Sequence, residues 1–159
     1  GKQTAIIFFL ICILGNIINV IMEEGIFRGL FQKLFEQKYN FLLSAILSSL
    51  LFGFWHVVAP LRSYYDGTIS FEEMFINIII LVVTSTLVGF KFSMMTKLTG
   101  NLYMSMGDHF VNNTIINILH IVSKDGSIDK LLVMRISIAQ TLSFLIVLIY
   151  FILSKNECS

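Results

Sequence analysis

Nineteen consecutive residues, 4–22, carry no charged side chain, and the run ends abruptly on Glu23-Glu24-Gly25-Ile26-Phe27-Arg28-Gly29. A helix needs about 20 mostly apolar residues to cross the hydrocarbon core of a bilayer, so this run is long enough to span one. An ionised group at the bilayer centre costs roughly 2.5 to 3.5 kcal/mol on insertion scales, so such groups face a cavity and find a partner there. In a helix Glu24 and Arg28 lie four apart with the acid first, the favourable order for an ion pair. Glu23 projects about 100° away from Glu24 and is left free for another task. The plainer reading is that all three charges snorkel at the end of a span.

Composition supports the membrane setting. Of the 159 residues 56% are hydrophobic and 13% charged, with a mean hydropathy of +0.83, too apolar for a soluble domain of this length. The net charge of +1 supplies no basic field for nucleic acid. Cys12 lies in the first apolar run and Cys158 next to the last residue, which is no disulfide framework. Cys158-Ser159 also lacks the two further residues of a C-a-a-X prenylation signal. No signal peptide separates from the first span. The chain opens on Gly1 rather than Met, which points to a longer parent.

The pattern predicts five helices in one domain, 1–159, with no repeat. The first span, 4–22, continues amphipathically over 25–40, where Phe27, Leu30, Phe31, Leu34 and Phe35 alternate with Arg28, Gln32, Lys33 and Lys38. The second covers 41–59 and stops at Pro60, the one proline. A polar loop follows over 62–68, with Asp66-Gly67 as its turn. Ser70 with Glu73 forms a capping-box start for a third span over 74–90, closed by Lys91 and Lys97. Thr99-Gly100-Asn101 breaks the chain before a polar fourth segment, 102–122. After a loop at 123–127 the last span covers 131–153, with Arg135 near its start. No alternating ten-residue strands are visible, so a membrane barrel is excluded and the fold class is an all-α polytopic bundle with a polar intramembrane cavity. Six basic residues (Arg28, Lys33, Lys38, Lys91, Lys97, Lys155) face five on the other side (Lys2, Arg62, Lys124, Lys130, Arg135), and the 28–40 side is assigned to the cytoplasm.

Polar residues within the spans are few. Phe52-Gly53-Phe54-Trp55-His56 contains one titratable group, His56, which on its own reads as well as a packing residue bonded to a neighbouring helix. His109, Asn113, Asn117 and His120 recur at intervals of four, four and three and so share a helix face. A stripe of that kind cannot face lipid; an interhelical hydrogen-bond seam is its bland explanation. Glu23, Glu24, His56, His109 and Asn113 together suit hydrolysis of an amide without a covalent enzyme intermediate. A buried carboxylate takes a proton from water, a histidine orients the water, and a histidine with an amide donates to the oxyanion. The same Glu and two His could instead hold a zinc ion whose bound water attacks, although no helix-local H-E-x-x-H spacing is present.

Glu23-Glu24-x-x-x-Arg28, Phe52-x-x-x-His56 and His109-x-x-x-Asn113, in that order and each in or beside a hydrophobic helix, resemble the CAAX protease and bacteriocin-processing family. This is the Abi group of membrane proteases, which includes the type II CAAX prenyl endopeptidases. The resemblance covers residue 20 to about residue 117 and leaves the last helix as unmatched scaffold. It implies that Glu23 activates water with His56, that His109 and Asn113 form the oxyanion hole, and that Glu24 and Arg28 organise the site. It further implies a metal-independent glutamate protease with additional helices upstream of Gly1. The expected substrate is a peptide or protein, prenylated or a leader peptide, met at a cell membrane among lipids.

Bringing Glu23 and His56 to one depth requires the first helix to run on through the charges, so a continuous helix is expected over about 6–35, kinked if necessary. Two other classes fit the same residues: a non-catalytic immunity or regulatory protein binding a peptide in the cavity, and an ion or proton carrier. Inverted repeats would favour the carrier, and none is seen.

Overall fold

The structure, a computed structural model, describes residues 2–122 and 132–156, and side chains within 6–117 and 135–154. The predicted 123–127 loop, the His120 side chain and Cys158 lie outside the described residues. All regular elements among the described residues are helical: α1 (Lys2–Glu24), a π-helix (Gly25–Phe31), α2 (Gln32–Glu36), α3 (Phe41–Trp55), α4 (Val58–Tyr65), α5 (Phe71–Thr99), α6 (Tyr103–Val122) and α7 (Leu132–Asn156). The first three are one uninterrupted helix, so the backbone passes straight through the charged residues as expected. A π turn carries one more residue than an α turn and recurs at functional sites.

Asn40 caps α3 by accepting from the Leu43 N–H at 3.0 Å. Pro60 does not stop the second span, which corrects the expectation from sequence. A proline lacks the N–H for the carbonyl four residues back, here His56, and its ring crowds that carbonyl. The chain therefore tightens at that point, with His56 N–H on Gly53 O and Val57 N–H on Phe54 O, both 3.1 Å. It then resumes as α4, with Pro60 in the first turn, where an N–H has no intrahelical partner. Arg62 to Tyr65, expected in a loop, belong to α4.

The capping box forms: Ser70 Oγ accepts from Glu73 N–H at 3.2 Å, and Glu73 Oε2 accepts from Ser70 N–H at 2.9 Å. The helix it starts does not close at Lys91. It runs to Thr99 with Lys91 buried, and ends where Gly100 takes the left-handed conformation at φ 71°.

Among the described residues four helical stretches are long and apolar enough to cross a membrane: Ile6–Glu36, Phe41–Tyr65, Phe71–Thr99 and Arg135–Ser154. The fifth long helix, α6, carries Asp108, His109, Asn112, Asn113 and Asn117 and packs on α1 and α5. The molecule is inside-out relative to a soluble bundle. Leu14, Ile18 and Ile146 are exposed, while Glu24, Arg28, Gln32, Lys91 and three α3 serines are buried. Such a surface requires lipid, and the chain is a multi-pass integral membrane protein.

Small residues set the α3–α5 approach. Ala45, Ser49 and Gly53 recur every four residues on α3, and Ser85, Gly89 and Ser93 do so on α5; all six are buried. Lipid competes equally for large apolar side chains, so helices in membranes associate through close backbone contact at small residues. A Cβ on Gly53 would lie 2.8 Å from the Val82 carbonyl oxygen, and one on Gly89 would lie 3.2 Å from Ser49 Cα.

Candidate active site

The π-helix docks on α3 through its backbone. Phe27 C=O accepts both the Gln32 N–H that closes the π turn and the hydroxyl of Ser48. This seats Arg28 deep in the bundle, where its Nη1 donates to Glu24 Oε1 at 3.1 Å with both side chains fully buried. The guanidinium carbon lies 4.3 Å from the Phe52 ring centre and 5.2 Å from that of Phe92, a cation between two aromatic faces. Gly89 makes the room: a Cβ there would sit 2.7 Å from Arg28 Nη2. The charges are therefore interior, and the snorkelling alternative fails.

His109 reaches this cluster from α6. Its Nδ1 lies 3.0 Å from Glu24 Oε1 and its Nε2 3.3 Å from Glu23 Oε2. Glu23 and Glu24 project about 100° apart on the helix, and the imidazole, with nitrogens on two edges, reaches both carboxylates. A ring with one N–H can donate to one of them only. With a hydrogen on both nitrogens it donates to both. The ring stacks on Phe92 at 5.0 Å between centres and meets Phe52 edge-on at 5.9 Å.

Trp55 completes the hold on Glu23, its indole N–H donating to Oε1 at 3.2 Å. Sequence reasoning passed over this residue. Its signal was available, since an indole N–H in a membrane span needs an acceptor and Trp55 is the single tryptophan.

The other two expected residues sit beside the cluster, without hydrogen bonds to it. His56 is at the proline-induced bend, where the tightened turn frees the Phe52 carbonyl, and His56 Nδ1 donates to that oxygen at 2.8 Å. A carbonyl only accepts, so Nδ1 carries the hydrogen and Nε2 keeps its lone pair in the neutral ring. Its ring packs edge-on against Phe52, 4.7 Å between centres, with the Phe52 ring touching His109 from its own side. Asn113 is one turn beyond His109 on α6, half-buried, with its amide unbonded among the described residues. Asn117, on the same predicted stripe, does something else: it donates to Asn16 Oδ1 at 2.8 Å, and Asn16 donates to Thr114 at 3.3 Å, tying α6 to α1. The stripe thus divides, among the described residues, between the contact of His109 with the acid pair and a seam to α1.

Fold and centre together define a polytopic membrane protein with an enclosed acid, histidine and arginine cluster. The family model described as type II CAAX prenyl endopeptidase Rce1-like matches residues 5–115, more than two thirds of the chain and every candidate site residue. The chain belongs to this family and is a CAAX-type intramembrane protease. Neither curated proteins nor solved structures yield a match.

Proposed function

We propose that the chain is an endopeptidase that hydrolyses a peptide bond at or near the surface of the cell membrane, with water activated by Glu23. The supporting observation is the hold on Glu23, gripped at one oxygen by Trp55 N–H and facing His109 with the other. A general base must be a carboxylate held within hydrogen-bond reach of the proton it takes. In the proposed step Glu23 takes a proton from water as the water oxygen bonds to the peptide carbonyl carbon. The carbonyl oxygen becomes an oxyanion, and the proton passes to the leaving amine as the C–N bond breaks. His56, through Nε2, orients the water. Asn113 and His109 donate to the oxyanion, His109 by giving up its longer contact, to Glu23; catalytic hydrogen bonds in a substrate-free site often rearrange in this way. Glu24 and Arg28 keep the acid pair in register.

No metal enters the proposal. Zinc would need several ligands at one point, and among the described residues no group of three or more His, Cys, Asp or Glu side chains is arranged to hold one.

The substrate is a peptide or protein with an extended segment near the membrane, either a prenylated C-terminus or a leader peptide. Purified protein in liposomes should cleave an internal bond of at least one of three peptides: a farnesylated C-terminal peptide, its unprenylated twin, or a leader-type peptide. Mass spectrometry of the products reads the result. Binding with no cleavage of any of them would favour the non-catalytic reading.

A further inference from the structure

A second polar cluster adjoins the first, with Lys91 Nζ 5.1 Å from the Phe92 ring centre. Lys91 is 1% exposed. Its Nζ forms an ion pair with Asp108 of α6 and donates to Gln140 Oε1 at 3.2 Å and Ser143 Oγ at 3.1 Å, both on α7. Gln140 Nε2 in turn donates to Asn112 Oδ1 of α6. Three helices therefore meet on one ammonium group.

The register of this cluster is the telling feature. Two consecutive residues of α5, Lys91 and Phe92, meet two consecutive residues of α6, Asp108 and His109: the first pair by charge, the second by ring stacking. Lipid tails compete for apolar side chains, so apolar burial does not drive α6 into place. Its polar ties fix it instead, with Asn16 on the α1 side and Lys91 on the α5–α7 side. A rotation of α6 by one residue, about 100°, would remove His109 from both carboxylates. A buried ion pair is weak evidence for stability, since apolar replacements serve equally well; register is its better-attested use.

We infer that Lys91 is a positioning residue: paired with Asp108 and held from α7 by Gln140 and Ser143, it sets the rotation of α6 that delivers His109 to Glu23 and Glu24. This gives α7, beyond the family match, a part in the centre. The inference rests on His109 belonging to the working site, and its test has a readout independent of peptide cleavage.

The test compares the parent, Lys91→Met, and Lys91→Met with Asp108→Asn, the last leaving no unpaired charge if the single variant fails to fold. Lys97→Met, at an exposed position on the same helix, is the control. The chain has three histidines, so ¹⁵N-histidine labelling yields three ring systems, with His109 assigned by His109→Gln. The expected result is a folded double variant whose His109 ring nitrogens lose their parental shifts while His56 keeps its own. In parallel kcat should fall roughly 10- to 100-fold, the scale of a displaced catalytic group, with KM within about threefold. Unchanged His109 shifts in a folded double variant would overturn the inference. A parent that cleaves nothing would count against the proposed function instead, and the ring shifts would still decide this one.

Discussion

Glu23→Gln should lower the rate of peptide cleavage by at least about 10² to 10⁴-fold, the range for losing a general base, and leave the protein folded. The substitution keeps shape and volume, and the amide oxygen can still accept from Trp55 N–H, so the position of the side chain survives. The basic oxygen facing His109 at 3.3 Å is what disappears. Glu24 cannot take over, because its Oε1 is already bonded to Arg28 and His109 and its Oε2 is buried. Thermal unfolding in detergent should stay close to that of the parent. Activity within a few-fold of the parent would remove Glu23 from the mechanism.

Arg28→Ala should show its effect in folding before chemistry. The guanidinium is fully buried, bonded to Glu24 and sandwiched between Phe52 and Phe92. Removing it strands Glu24 as a buried carboxylate beside Glu23, and breaking a buried pair in this way costs about 3 to 5 kcal/mol. A cavity between two aromatic rings adds to that cost. Poor yield and markedly earlier unfolding are expected. Arg28→Lys should rescue only in part, since an ammonium lacks the flat face that lies over Phe52. A normally stable Arg28→Ala protein would mean that the interior is wetter than this packing implies.

The parts of this architecture visible in sequence were those with a local chemical cause. Nineteen uncharged residues, the Ser70–Glu73 box and the Thr99-Gly100-Asn101 break each act over a few neighbours, and each appears in the structure. The Glu24–Arg28 pair was legible because it lies within one helix. Lys91 was read as the end of a span because a lone lysine after an apolar run usually is one; its partners are Asp108, Gln140 and Ser143, on helices that no local rule brings near. Pro60 was read as a stop, whereas a proline near a helix start bends the chain and lets it resume. The Ala45-Ser49-Gly53 and Ser85-Gly89-Ser93 seams had a readable four-residue spacing. They went unnoticed because small residues look neutral until a facing helix is known.

The central claim is that Glu23, and no metal ion, activates the attacking water. The direct measurement is the metal content of purified protein, taken together with peptide cleavage before and after exhaustive chelation. The account predicts well under one equivalent of zinc and full activity after chelation. One equivalent of zinc, with activity lost on chelation and restored by adding zinc back, would contradict it.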